Sequence, residues 1–260
     1  MKKIPHVSLL IPCYNEEHRL SKNLNKIVKF LSKKPYAWEL IIIDDGSKDK
    51  TSDIVSRQAA VESSIRLVKL KKNQGKGAAI RKGVLNATGN YIAFTDVDLS
   101  VSIETLDVML TLLQSSAVVI GVRRRKGSSI KKHQPLYREF MGHIFTKYAN
   151  IVLNVWVSDF TCGFKGFESS VAKQLFHTQR VPGWSFDAEV LYLAKRNGYA
   201  VCEHPVEWTN EKNTKVNILR DAVLSFIDIL RIRYYSFFGY YESVEKISRK
   251  NYMTDRKSTT

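Results

Sequence analysis

Cysteine is scarce in this chain: Cys13, Cys162 and Cys202 are an odd number, widely separated, with no Cys-x-x-Cys spacing. That excludes a disulfide framework and a zinc site of recognisable spacing, and it points to a reducing compartment. Long apolar runs are also missing. A spanning helix needs about 18 uninterrupted apolar residues, and the nearest candidate, Ile218 to Tyr241, is broken by Arg220, Asp228, Arg231 and Arg233. Any membrane contact is therefore expected to be peripheral. Met1 to His6 lacks the apolar centre of a secretory signal, so a cytoplasmic location is expected. Acidic residues are the scarcer charge, 25 against 41 Lys and Arg, which leaves a formal charge of +16. Such a chain is attracted to nucleic acid, anionic lipid headgroups or phosphorylated substrates.

What is present is a rhythm. Apolar, β-rich runs at Val7 to Pro12, Glu39 to Ile43, Ile65 to Lys69 and Tyr91 to Thr95 alternate with helix-like segments at Glu16 to Leu31, Thr51 to Val61 and Ala78 to Asn86. This pattern predicts an α/β protein with a mostly parallel, twisted sheet and helices on both faces. Further along, Thr105 to Leu113 reads as a helix, Val118 to Val122 as a strand, residues 123–133 as a mobile basic loop and Tyr137 to Leu153 as a helix. Thr161 to Phe167 reads as a turn and Val201 to Trp208 as a late strand. From Ile218 to Tyr241, apolar and aromatic residues recur at helical spacing with Arg and Lys between them, an amphipathic C-terminal helix. The expected organisation is a catalytic domain over 1–217, a membrane-facing helical segment over 218–245 and a disordered tail over 246–260.

Ligands in such sheets bind beyond the carboxyl ends of the strands, and those ends are polar here. The first run ends in Pro12-Cys13-Tyr14-Asn15-Glu16, the second in Asp44-Asp45-Gly46-Ser47 and the fourth in Asp96-Val97-Asp98. Alternation along a strand directs Asp96 and Asp98 to one side. Two such carboxylates can hold a hard divalent cation that grips a diphosphate, and the same pair serves equally well as a loop cap for the next helix. Asp45 is placed to accept hydrogen bonds from a nucleoside, while Gly46 and Ser47 suit a turn and a helix cap. Gly75-Lys76-Gly77 resembles a phosphate-cradling turn but fits neither the Walker nor the dinucleotide pattern.

Taken in order, Ile11 to Glu16, Asp44 to Ser47, Asn73-Gln74-Gly75-Lys76-Gly77 and Asp96 to Asp98 resemble the motifs of family-2 GT-A glycosyltransferases. Within that family, Thr161-Cys162-Gly163-Phe164-Lys165, Trp184 to Glu189 and Val206-Glu207-Trp208-Thr209 are similar to the dolichyl-phosphate β-glucosyltransferases. The resemblance implies a GT-A fold and inverting transfer of a hexose, glucose from UDP-glucose, to dolichyl or another polyprenyl phosphate at an anionic membrane surface, on its cytoplasmic face. It implies that Pro12, Tyr14, Glu16, Asp45, Lys76 and Asp96 bind the nucleotide sugar and that Asp96 and Asp98 hold Mg²⁺ or Mn²⁺. Arg123 and Arg138 fall where the acceptor phosphate is bound. Asp98, Arg123, Asp159 and Asp187 become the catalytic candidates, although Asp159 also reads as a turn-forming aspartate. Asn213-Thr214-Lys215 departs from the family's Gly-Ser-Lys pattern.

A phosphate monoester is already anionic, so it needs alignment and leaving-group stabilisation more than a strong base. The cluster Arg123, Arg124, Arg125, Lys126, Lys131, Lys132 and His133 follows a strand on the ligand side, where it suits a lid over lipid phosphate and pyrophosphate. Two alternatives keep the fold: GDP-mannose as donor, or a hydroxyl acceptor, which requires a true base. A nucleic-acid partner is not expected, because no recognition motif is present and the acidic strand ends repel phosphate.

Overall fold

Val7–Cys13 (β1) and Trp38–Asp44 (β2) are nearly unbroken apolar runs, the pattern of strands covered on both faces. They pair in parallel, with Leu9 opposite Leu40 and Cys13 opposite Asp44. The structure, a computed structural model, describes residues 4–123, 125–132, 135–210 and 218–242. Arg124, His133, the Asn213-Thr214-Lys215 segment and the 246–260 tail lie outside the described residues.

Between and after those strands come Glu17–Leu31 (α1), Thr51–Val61 (α2), Ile65–Lys69 (β3), Lys76–Asn86 (α3) and Tyr91–Phe94 (β4). Thr105–Leu112 (α4), Val118–Val122 (β5), Ser129–Lys132 (β6), Leu136–Leu153 (α5), Lys165–Glu168 (β7) and Ser169–Thr178 (α6) follow. Phe186–Arg196 (α7), Val201–Pro205 (β8), Glu207–Thr209 (β9) and Ile218–Phe237 (α8) complete the order. The main sheet runs β3-β2-β1-β4-β7-β5-β8, and β6 pairs with β9 in a small second sheet. Only β7 runs against its described neighbours in the main sheet, β4 and β5.

Alternation along the strands sorts their side chains onto two cores. Leu10, Ile41 and Ile43 face α3, α5, α6, α7 and α8, whereas Leu9, Ile11, Leu40 and Ile42 face α1, α2 and α4. The buried residues of α1, namely Leu20, Leu24, Ile27 and Leu31, recur at three- and four-residue steps and form one helical stripe. Burying each such side chain contributes about 1.5–3 kcal/mol relative to leaving it exposed. α8 belongs to this architecture: it packs on α5 and supplies Ile229 and Ile232 to the first core. The expected membrane-facing segment is thus also a wall of the catalytic body.

Three local expectations are corrected. The 123–133 loop contains β6, held in place by β9 through the Ser129–Glu207 and Ile130–Trp208 pairs. The 161–167 turn gives way at Lys165 to β7, whose Lys-Gly-Phe-Glu sequence carries no strand alternation of its own. Its ladder partners Phe94 and Ile120 impose the strand. The late strand is split into β8 and β9 at Val206, directly after Pro205, which has no N–H to continue a ladder.

Candidate functional site

Because β1 lies between β2 and β4, the polar segments that follow these strands meet at one edge of the sheet. They line a cavity of about 790 Å³ together with α3, α5 and α8. Pro12, Tyr14 and Glu16 enter it from β1, Asp45 from β2, Lys76 from α3, and Asp96 and Asp98 from β4. Arg123, beyond β5, and Arg138, in the first turn of α5, line it as well. Asp159 and Asp187 do not line it; both are buried behind the wall.

The rim is tied together by short hydrogen bonds. Asn15 N–H donates to Ser47 Oγ at 2.8 Å and Glu16 N–H to Thr51 Oγ1 at 2.8 Å, which joins the end of β1 to the end of β2. Asp45 accepts the Gln74 and Gly75 N–H groups, each at 2.8 Å, so this carboxylate shapes the turn before α3. Burial raises the Asp45 pKa. Gly75 caps α3 with φ +101°, a left-handed conformation that favours glycine, and a Cβ there would lie 2.5 Å from the Pro182 carbonyl oxygen.

Lys76 opens α3, where unpaired N–H groups and the helix dipole favour an anion. Its Nζ lies 2.6 Å from Asp96 Oδ1 and 5.5 Å from the Trp184 ring centroid. Burial alone would push this ammonium down, but Asp96 and Asp187 outweigh it and hold the pKa above its ordinary value. Asp98 accepts the Ser100 N–H at 2.9 Å, and its pKa is raised by burial and by the neighbouring Asp96. A like-charge pair of this kind is relieved by a cation. Among the described residues no group of three or more His, Cys, Asp or Glu side chains converges on a point. Two carboxylates still fit Mg²⁺ or Mn²⁺, because such ions complete their shells with phosphate oxygens and water.

On the other flank, Arg123 grips Asp159 in a fork, Nε to Oδ2 at 2.7 Å and Nη2 to Oδ1 at 2.9 Å. The same Nη2 donates to Thr161 Oγ1 at 2.7 Å, and the guanidinium stands 5.5 Å from the Trp208 ring centroid. Burial opposes both charges, but the pairing overrides it: Asp159 is held well below the usual carboxylate range and Arg123 above its own. Asp159 therefore positions Arg123. Asp187 pairs with Lys165 at 2.8 Å; burial raises its pKa against the pull of Lys165 and Lys76. The Cys162 thiol between these groups is pushed up to about 11 by burial and by Asp159.

The basic loop is partly neutralised from below. Arg125 pairs with Glu203 at 3.0 Å and Lys131 with Glu207 at 2.5 Å, while Lys126 and Lys132 are exposed. Arg138 is different, since its Nε is buried without a hydrogen-bond partner among the described residues. Motif reading does not reveal the apolar wall formed by Met141 and Phe145 of α5 and Phe226 of α8. No motif marks these positions; the only signal is helical periodicity, which does not say what a face meets.

A mostly parallel sheet with one reversed strand beside β4, and with acidic groups at the β4 terminus, defines a GT-A glycosyltransferase. Residues 8–176 match the family Glycosyl transferase family 2, and the chain belongs to that family. Within it, similar proteins are dolichyl-phosphate β-glucosyltransferases. One from Trichomonas vaginalis is 32% identical over 241 residues, covering 88% of this chain and 71% of that protein. One from Dictyostelium discoideum is 32% identical over 242 residues (88% and 74%), and one from Saccharomyces cerevisiae is 30% identical over 261 residues (92% and 78%). Among solved structures, glucosyl-3-phosphoglycerate synthase from Mycobacterium tuberculosis in complex with Mn²⁺, UDP and glucosyl-3-phosphoglycerate shares the fold, with a TM-score of 0.61 at 17% identity. That match covers 87% of this chain and 78% of the synthase.

Proposed function

We propose that this protein transfers glucose from UDP-glucose, with inversion, to dolichyl or another polyprenyl phosphate while seated on the cytoplasmic face of an anionic membrane. The observation that carries this reading is the two-sided cavity. One wall is ionic, with Asp96, Asp98, Lys76 and Arg123, and the α5 and α8 side adds apolar Met141, Phe145 and Phe226 beside Arg138 and Arg220. A sugar nucleotide suits the first wall and a lipid tail the second. The relatives' names agree with glucose as the sugar and a lipid phosphate as the acceptor, and the Mn²⁺ and UDP held by the mycobacterial synthase agree with a metal-assisted donor site.

In this reading Asp98, with Asp96 beside it, holds Mg²⁺ or Mn²⁺, which when bound offsets charge on the departing diphosphate. Pro12, Tyr14, Glu16 and Asp45 enclose the nucleotide, and Lys76 turns from Asp96 toward phosphate. Arg123 and Arg138 orient the acceptor phosphate; both line the cavity, and the Arg138 Nε has no hydrogen-bond partner among the described residues. An acceptor oxygen then attacks the anomeric carbon from the face opposite the leaving UDP, forming the new C–O bond as the old one breaks. A hydroxyl acceptor fits less well, because Asp159 and Asp187, the candidate bases, are buried and committed to Arg123 and Lys165. The test is a thermal-shift screen of UDP-, GDP- and dTDP-sugars with Mn²⁺, followed by turnover with a short polyprenyl phosphate and NMR of the product anomer. UDP-glucose should give the largest shift and a β-linked product; turnover with GDP-mannose alone would overturn the donor assignment.

Membrane seating rests on two exposed stripes. On α8, Val223, Ile227, Leu230, Tyr234 and Phe237 recur at three- and four-residue steps, and Phe237 is 84% exposed. On α5, Tyr137, Phe140 and Ile144 do the same, and Ile151 lies two turns further along. Arg220 and Arg231 border the α8 stripe, the composition of an interfacial helix. Each basic residue near an anionic surface adds about 1 kcal/mol, an attraction that salt screens. Sedimentation with phosphatidylglycerol vesicles should therefore be strong at low salt and fall markedly at high salt, and Phe237→Asp should weaken it. A protein that stays in the supernatant at low salt would remove the support for a lipid acceptor.

A further inference from the structure

Lys165 is a lysine with no exposed surface, in the middle of the sheet. A buried ammonium is costly unless acceptors and an opposite charge surround it, and here two carbonyls accept from it and a carboxylate stands at ion-pair distance. Nζ lies 2.8 Å from Asp187 Oδ1 and donates to the Phe160 carbonyl at 2.9 Å and the Cys162 carbonyl at 2.6 Å. The Phe94 ring lies 5.8 Å away on another side. Register explains the position, since Lys165 stands between Phe94 of β4 and Ile120 of β5.

The two carbonyls belong to a turn that touches both halves of the site. Asp159 and Thr161 on that turn hold Arg123. Gly163, on its far limb, lies so close to Asp96 that a Cβ there would be 2.0 Å from Oδ2. The third contact, Asp187, belongs to the first turn of α7, so Lys165 ties that helix to the turn.

We propose that Lys165 is a positioning residue for the transfer reaction. By holding Phe160, Cys162 and Asp187 together it sets the place of Arg123 and Asp96. The assignment rests on the functional reading above, though its test is separable from it. A shift of about 1 Å in such a framework costs about 100-fold in rate. Lys165→Met keeps the length and loses the charge and donors, whereas Lys165→Arg keeps both.

Wild type and variants are compared as full-length protein for melting temperature, for UDP affinity with Mn²⁺ by calorimetry, and for turnover of UDP-glucose with a short polyprenyl phosphate. Lys165→Met should lower kcat about 100-fold and weaken Mn²⁺-dependent UDP binding, because Asp96 loses its place, whereas Lys165→Arg should recover UDP binding and bring kcat to within about tenfold of wild type. If Lys165→Met does not fold, Lys165→Gln, whose amide still donates to a carbonyl, takes its place under the same criteria. A neutral variant that folds and turns over within about threefold of wild type overturns the proposal. So does a stable Lys165→Arg as inactive as the neutral variant. Should wild type turn over only another donor and acceptor, the functional reading fails, and the Lys165 comparison runs unchanged on that pair.

Discussion

Replacing Asp98 by alanine should lower kcat by about 1,000-fold or more, which corresponds to roughly 4 kcal/mol of barrier. Asp98 sits on the ionic wall with a pKa raised by burial and by Asp96, so a divalent cation there relieves a conflict that the fold builds in. The neutral variant loses half of the only two-carboxylate face at the β4 terminus among the described residues. Two measurements check this: turnover of UDP-glucose, and Mn²⁺-dependent quenching of Trp184 fluorescence on UDP binding, since Trp184 lines the same cavity. Removing the cation with a chelator should reproduce the loss in wild type. Full activity under chelation would sink the metal assignment.

Arg123→Ala should lower kcat/KM for the polyprenyl phosphate by about 100- to 1,000-fold, from lost alignment and charge stabilisation. UDP affinity should hold within about threefold, because the donor contacts lie on the other flank. The same change should destabilise the protein by about 3–5 kcal/mol, since it leaves the fully buried Asp159 carboxylate without its cation. The pH dependence has a definite sign. In wild type the folded pKa of Asp159 is depressed, so its stabilising contribution is complete above an unfolded value of about 4 and is lost as pH falls below that. In Arg123→Ala, burial is the largest remaining influence and raises that pKa. The variant should then be least stable at neutral pH and recover as the carboxyl takes up a proton. Melting temperature followed from pH 7 downward distinguishes the two slopes, and Asp159→Asn added to Arg123→Ala should restore stability without restoring turnover. An equal loss of UDP binding in Arg123→Ala would show that this arginine serves the donor instead.

Much of the site was legible in the chain because parallel strands carry their functional residues at one end. Asp45, Asp96 and Asp98 each follow an apolar run, and once β1 lies between β2 and β4 they meet. Lys76 was legible from the glycines around it. What was not legible depends on partners remote in sequence. Lys165 reads only as the end of a motif in a turn, and its burial appears when β7 inserts between β4 and β5 and encloses it. Arg125 and Lys131 read as part of a basic lid over phosphate, and the sequence does not show that β8 and β9 bring Glu203 and Glu207 to pair with them. The apolar side of the cavity appears only when α5 and α8, far apart in the chain, pack together. Asp159 and Asp187 read as candidate bases, and the sequence does not show that both are buried in ion pairs with Arg123 and Lys165.

The reversed strand also governs the order in which the molecule can assemble. β1 to β4 are parallel neighbours joined by helices, and these can form early from local connections. β5 cannot join them directly: its place beside β4 is taken by a segment that begins about forty residues later in sequence, at Lys165. Pairings across such separations form slowly, because the loop must close before any contact rewards it. A nascent chain that ends before Lys165 can form the β1–β4 half but has no neighbour for Val118–Val122 on the β4 side, which leaves an apolar strand with a bare edge. For that interval the growing protein carries an aggregation-prone surface; the seventh strand covers the edge on the β4 side and joins the two halves of the candidate site, and β8 covers the other edge later.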